Sequence, residues 1–333
     1  MIEKPTQSIN QNPYETLTPE MVIDAVESTG RFSDMRIFPL NSYENRVYQV
    51  GMEDGDPIIA KFYRPARWSN EQIQEEHDFS YQLYDAELPV VPPIRNENGE
   101  TLFNFGGFRF SLYVRRGGHA PELDDLNSLL VLGRLVGRIH AIGAQQNFQY
   151  RPTLTLHDFA EKSYQLISEE FIPSDLKLPY TSLCEDLIKI MKIRLEETPY
   201  TPIRVHGDCH SGNILWRGDS PHFVDLDDSR MAPAIQDLWM FISGDRQMQT
   251  TAISEVIEGY NEFYDFDPRQ LHLVETMRTL RIMHYSAWLA RRWQDPAFPH
   301  NFPWFNSARY WSDHILELRE QLAVLNEPAL QLF

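Results

Sequence analysis

The chain has 333 residues, a formal net charge of −18 and two cysteines, Cys184 and Cys209. Its length exceeds one ordinary core and points to one large domain or two unequal lobes, while its charge opposes nucleic acid and anionic membrane as partners. Two cysteines make no disulfide framework, residues 1–12 lack the apolar core of a secretory signal, and no run approaches the roughly 20 apolar residues that span a bilayer, so reducing cytoplasm is the expected setting.

Residues 1–16 are polar, with Pro5 and Pro13. Thr18-Pro19-Glu20 then opens a periodic run (Met21, Val22, Ala25, Val26), the pattern of a capped helix with proline in its first turn. From residue 36 to about 63 the pattern becomes β-type, with runs at 47–50 and 58–63 around Glu53-Asp54-Gly55-Asp56, which is a hairpin signature. Ser69-Asn70-Glu71 precedes a helical stretch through Tyr84 that Pro89, Pro92 and Pro93 end. Two further strands are expected at 100–104 and 108–114, around Phe105-Gly106-Gly107. Beyond Gly117-Gly118, Leu126, Leu129, Leu132, Val136 and Ile139 recur at helical spacing, so a lobe boundary is expected near residue 115.

Residues 160–198 read as helices broken at Pro173 and Pro179, and residues 251–325 as several more, rich in aromatics and arginine. Between them lies one non-helical island, with strand-like pieces at 213–216 and 222–224 joined by Arg217-Gly218-Asp219-Ser220. The expected architecture is α+β: a small antiparallel sheet lobe with one main helix (1–115) and a larger, mainly helical lobe (116–333).

The island carries the chemistry. It reads His206-Gly207-Asp208-Cys209-His210-Ser211-Gly212-Asn213 and, after the hairpin, Val224-Asp225-Leu226-Asp227-Asp228. Phosphoryl transfer needs an acceptor for a hydroxyl proton, ligands for a metal that bridges phosphates, and positive charge on those phosphates. Asp208 followed five residues later by Asn213 has the spacing of a kinase catalytic loop, with Asp208 as base and Asn213 reaching the metal; Asp225 is the second metal ligand. An oxygen-only ligand set suits Mg²⁺ better than zinc. Upstream, Ile58-Ile59-Ala60-Lys61-Phe62 presents a lysine for the α and β phosphates of ATP. A helix glutamate is expected to hold its ammonium; Glu75 and Glu76 are both available, and Glu76 is favoured because it lies seven residues before Leu83 and should face the sheet. Adenine is expected against the lobe linker, at Tyr113, Val114 and Arg116.

These residues resemble the aminoglycoside phosphotransferase and choline kinase superfamily, whose brief catalytic loop has an H-G-D-x-H-x-x-N pattern, over about residues 35–290. Within it, Asn41-Ser42-Tyr43-Glu44-Asn45-Arg46-Val47-Tyr48, residues 206–217 and 223–228, Asp237-Leu238-Trp239, and residues 291–299 are similar to a branch of bacterial stress-response serine/threonine protein kinases. The resemblance implies a two-lobed protein-kinase-like fold and transfer from ATP to a serine or threonine of a protein substrate, with autophosphorylation. It also implies that the turn at 41–46, which has no G-x-G-x-x-G, covers the nucleotide with Ser42 as a contact. No D-F-G or A-P-E segment follows the loop at 206–213; Asp225-Leu226-Asp227 stands in place of the first.

Plainer roles compete at several positions. His206 and His210 are read as loop hydrogen-bonding groups rather than metal ligands, Asp237 as a brace for the loop backbone, Cys209 as a small buried filler rather than a redox switch, and His140 as a core histidine. Asp227 is left open between a second metal ligand and a positioning group. Residues 291–304 either shape the acceptor site or pack on the helical lobe. A small-molecule kinase, a metal-dependent phosphohydrolase and a pseudokinase scaffold are the rival functions. The phosphohydrolase lacks an upstream D-x-H and a later G-N-H-D, the scaffold has no need of Lys61, Asp208, Asn213 and Asp225, and a monomer is compatible with every feature.

Overall fold

Thr18 caps the first helix, α1 (Pro19–Glu27), accepting from the Met21 amide, with Pro19 in the first turn where no amide hydrogen is required. The computed structural model describes residues 12–218 and 220–332; the polar segment at 1–11 and Asp219 of the expected 217–220 turn lie outside them. After α1 come β1 (Ser33–Pro39), β2 (Arg46–Met52), β3 (Ile58–Phe62), α2 (Asn70–Asp85), β4 (Phe103–Phe105) and β5 (Phe108–Val114). The strands form one antiparallel sheet in the order β1-β2-β3-β5-β4.

The two-residue period of the strands decides what each face does. Ile58, Ala60 and Phe62 of β3 and Phe108, Phe110 and Leu112 of β5 bury against Val22, Ala25 and Val26 of α1. Ile59, Lys61, Ser111 and Tyr113 therefore share the opposite face, with Lys61 directly across from Ser111. The helix α2 starts with a Ser69–Gln72 capping box and covers part of that face; its His77 bonds the Tyr63 hydroxyl at 2.8 Å. Gly106 and Gly107, at φ 57° and 84°, make the two-residue turn between β4 and β5.

Two local expectations change. The sheet begins at Ser33 rather than near residue 36, because β1 is an edge strand that exposes Met35, Arg36 and Phe38 and shows no clean alternation. Pro179 does not break a helix: it is the third residue of α5, whose first-turn amides have no intrahelical acceptor to lose.

The remainder comprises α3 (Leu126–Gly143), α4 (Lys162–Glu170), α5 (Lys177–Glu197), β6 (Ile203–Val205), β7 (Ile214–Arg217), β8 (Ser220–Phe223), β9 (Arg230–Ala232), α6 (Ile235–Leu238), α7 (Arg246–Asn261), α8 (Val274–Arg291), α9 (Ala297–Asn301) and α10 (Ala308–Leu325). Strand β6 pairs with β9 and β7 with β8, both antiparallel. A second hydrophobic core unites these helices and takes Phe79 and Leu83 from α2. The fold is α+β and two-lobed, and the lobes are stitched by backbone. The Phe223 amide donates to the Pro89 carbonyl (2.8 Å), and within the helical lobe His119, just past β5, exchanges bonds of 3.0 and 2.7 Å with Trp216. Among the described residues no helix is long and apolar enough to cross a membrane.

Helices α3 and α7 touch through glycine. A β-carbon at Gly133 would lie 2.0 Å from the Val256 carbonyl oxygen, and one at Gly259 would lie 2.2 Å from that of Leu130. Gly133→Ala is expected to lower unfolding free energy by about 1–3 kcal/mol in a denaturant titration. Gly117→Ala, with open space around it, should shift it by less than about 0.5 kcal/mol; equal effects would contradict the close helix approach.

Candidate active site

Strand β3 and the loop after β6 face each other across a cavity of about 730 Å³. Ser42, Lys61, Glu76, Tyr113, Val114, Arg116, Asp208, Asn213 and Asp225 all line it. Lys61 arrives there by strand alternation, on the face opposite Ala60 and Phe62. The loop is held by its backbone. Gly207, at φ 86°, leaves no room for a side chain, since a β-carbon would lie 2.1 Å from the Asp228 carbonyl oxygen. Asp237 accepts from the His206 and Gly207 amides at 2.7 and 2.9 Å. It is steadied in turn by His140, whose other ring nitrogen meets the Tyr260 hydroxyl.

The His206 ring bonds the Val224 carbonyl at 3.0 Å, tying the loop to the segment that follows β8. Asn213 donates its amide NH₂ to the Asp208 carbonyl at 2.9 Å, which orients the amide and leaves its oxygen for another partner. Asp225 sits in the left-handed region at φ 58°, ψ 62°, a conformation that costs on the order of 1–3 kcal/mol away from glycine. Its side chain is half exposed into the cavity.

The Lys61 ammonium does not pair with Glu76. It meets Asp225 at 2.8 Å and Asp227 at 3.3 Å, and among the described residues no ion pair joins it to either helix glutamate. Burial opposes its charge, but Asp225 and Asp227 outweigh burial and hold it well above the usual lysine range. Glu75 faces elsewhere, accepting from the amides of Gln149, Tyr150 and Arg151. Glu76 is the one that lines the cavity; it is buried, its Oε2 has no hydrogen-bond partner, and burial pushes its carboxyl up to about 7.

Asp227 is buried and surrounded by donors from several segments. It accepts from Asn45 Nδ2 at 3.1 Å and from Arg67, and its carbonyl takes both terminal nitrogens of Arg151. Burial would raise its carboxyl, yet Arg67, Lys61 and Arg151 overcome that and hold it below the usual range. Asp228 pairs with Arg67 at 2.9 Å and Arg230 at 2.7 Å. The Ser42 hydroxyl donates to the Asn45 carbonyl at 3.1 Å, so it closes the covering turn on itself. Tyr113 is paired with Ile59 and bridged to Pro93, which leaves Arg115 and Arg116 as the first residues beyond the sheet. Cys209 is fully buried, and burial pushes its thiol well up, away from a reactive thiolate.

Two features have no counterpart in the sequence reading. Arg281 of α8 pairs with Oδ1 of Asp208, and His210 Nε2 stands 3.5 Å from Oδ2. Met277, Leu280, Arg281, His284, Tyr285 and Trp288 line the cavity from one face of α8; the three- and four-residue spacing of Arg281, His284, Tyr285 and Trp288 was the available signal. Glu44 of the covering turn is gripped by Trp288 Nε1 (2.5 Å) and Arg292 (2.8 Å), and Asp295 by Arg64 (2.9 Å). The segment at 291–304 therefore reaches back to the sheet lobe as well as packing on the helices.

Glu76 generates a pH prediction. Its carboxyl holds a proton in the folded state up to about 7 but releases it near 4.3 when unfolded. Its contribution is fully present below the unfolded value and is lost as pH rises through the folded one. Glu76→Gln cannot ionise, so in nucleotide-free protein the stability of Glu76→Gln relative to the parent should grow between pH 5 and 8 by roughly 2–3 kcal/mol. Parallel stability curves for the two proteins would contradict the assignment.

The phosphotransferase enzyme family model matches residues 36–274, which takes in the sheet, the loop after β6 and the segment around Asp225. The chain is 45% identical over 320 residues to stress response kinase A of Escherichia coli O157:H7, covering 96% of this chain and 97% of that one. It is 42% identical over 324 residues to serine/threonine protein kinase RdoA of Salmonella typhimurium (strain LT2), covering 97% and 98%. Among solved structures, amicoumacin kinase hAmiN, in complex with AMP-PNP, Ca²⁺ and Ami, superposes with a TM-score of 0.71 at 20% identity, over 91% of this chain and 93% of that one, a likeness of fold. On the family match and on near-full-length relatives above 40% identity, the chain belongs to the phosphotransferase enzyme family.

Proposed function

We propose that the protein is an ATP- and Mg²⁺-dependent serine/threonine protein kinase that also labels itself. The observation that carries this reading is the meeting of Lys61, Asp208, Asn213 and Asp225 in one cavity, from two strands' ends and a loop far apart in sequence. The name of the relative at 42% identity, serine/threonine protein kinase RdoA, favours a protein acceptor over a small one.

In this reading Asp208 accepts the proton of the acceptor hydroxyl as its oxygen bonds to the γ-phosphorus and the bond to the β,γ-bridging oxygen breaks, releasing ADP. Lys61 carries positive charge to the α and β phosphates. Glu76 lines the same cavity without pairing with Lys61. The Asn213 amide oxygen and the Asp225 carboxylate fit a hard cation: both are oxygen donors on the cavity wall, the first left free by its NH₂ bond and the second half exposed. Bound there with the nucleotide, Mg²⁺ would neutralise charge on the phosphates. The apolar side chains of Val47, Ile59, Val91 and Leu215 offer adenine a slot beside the rim at Tyr113, Val114 and Arg116. Ser42 acts by shaping the covering turn, so that the backbone at 41–45 faces the phosphates. The residue division at about 115 assigns nucleotide covering to the first lobe and the base, metal ligands and acceptor wall to the second.

The test is radiolabelled ATP with the parent and Asp208→Asn. Label on the protein itself and on protein substrates is expected, with turnover falling by about 10²-fold or more in the variant. Unchanged turnover would remove Asp208 from the chemistry. Label found only on a metabolite would transfer the reading to a small-molecule kinase, and phosphate release without nucleotide would favour a phosphohydrolase.

A further inference from the structure

The wall of the cavity beyond the catalytic loop carries one cation whose pairing conflicts with the chemistry around it. Arg281 holds Oδ1 of Asp208, and Asp208 is its only ion-pair partner among the described residues. The neighbouring cations are committed elsewhere: Arg230 to Asp228, Arg67 to Asp227 and Asp228, and Lys61 to Asp225 and Asp227. An acceptor hydroxyl must bond an oxygen of Asp208 to give up its proton. Arg281 covers Oδ1, while Oδ2 faces His210 at 3.5 Å; an acceptor hydroxyl that docks on Oδ1 displaces Arg281 from it. The Arg281 side chain is 44% exposed and can swing. Its guanidinium is then left unpaired, a few ångströms from the acceptor oxygen.

We propose that Arg281 selects the acceptor, by binding the carboxylate of an aspartate or glutamate adjacent to the serine or threonine that is phosphorylated. The proposal rests on the protein-kinase reading above and narrows its substrate class. Neighbouring α-carbons in a peptide are about 3.8 Å apart, so a carboxylate one residue away lies within reach of a side chain that has just left the acceptor's own hydrogen-bonding site. An acidic neighbour restores the ion pair that Asp208 gave up, and the arginine fork suits a carboxylate. A neutral neighbour leaves the cation unpaired and a basic one repels it. The whole chain carries −18, a field that disfavours acidic peptides; a preference for them must therefore come from a local cation.

The experiment compares kcat/KM on three matched serine peptides, with Asp, Gln or Lys beside the acceptor, for the parent and for Arg281→Met, Arg281→Lys and Arg281→Glu. The parent is expected to favour the Asp peptide over the Gln peptide by about tenfold. That ratio should fall to about 1 in Arg281→Met, persist in part in Arg281→Lys, and invert toward the Lys peptide in Arg281→Glu. Peptide labelling without an acid preference, or an acid preference that survives in Arg281→Met, overturns the proposal alone. A uniform drop in kcat on all three peptides with the ratio intact overturns it in favour of Arg281 acting on the transferred phosphoryl group. Failure of the parent to label any peptide, while it consumes ATP on a small alcohol, overturns the protein-acceptor reading and this proposal with it.

Discussion

A carboxylate taken out of water costs several kcal/mol unless cations and hydrogen-bond donors surround it. Asp227 is 2% exposed, and its side chain finds that company on the other lobe: Lys61 from β3, Arg67 from the segment after it and Asn45 from the covering turn. A second set runs in both directions. Glu44 of the turn is held by Trp288 and Arg292 of the helical lobe, while Asp295 from that lobe holds Arg64. Each lobe thus buries acids that cations of the other help to neutralise. Removing a single partner from such a set costs about 3–5 kcal/mol, because the charge left behind stays buried. The closed geometry of the cleft and the pairing of its charges are one constraint.

That constraint explains how a turn without glycines is held in place over the cavity. A glycine-rich loop meets phosphates because its backbone is unobstructed. Here the turn at 41–46 is set by side chains instead: Ser42 closes it on the Asn45 carbonyl, Asn45 ties it to Asp227 and to the Arg64 amide, and Glu44 anchors it to α8. Residues 41–45 of the turn line the cavity. The same logic accounts for Lys61, whose ammonium spans to Asp225 and Asp227 across the cleft rather than to Glu76 on its own side.

What could be read from residues alone follows from how local the physics is. Asp208 and Asn213 lie within one loop, so their five-residue spacing is visible along the chain. Lys61 was legible because strand alternation puts it opposite Ala60 and Phe62. The Lys61–Glu76 contact failed because a helix periodicity places Glu76 on the correct face but says nothing of which acid the ammonium prefers. Arg281 on Asp208, Glu44 on Arg292 and Arg64 on Asp295 join residues 73, 248 and 231 positions apart. No local pattern encodes such partners; only the packing of α8 and α9 against the turn brings them together. The edge strand β1 escaped for the opposite reason, since an exposed edge needs no apolar alternation.

The central claim is that oxygens of Asn213 and Asp225 hold a hard cation on the phosphates that Lys61 receives, with Asp208 on the same cavity wall to meet an acceptor. A crystal structure with Mg²⁺ and a non-hydrolysable ATP analogue measures this directly. The account predicts the cation within about 2.0–2.2 Å of an Asn213 and an Asp225 oxygen, with the α and β phosphates at Lys61 and adenine beside Val114. A nucleotide bound outside this cavity, or a cation held without either residue, would contradict it.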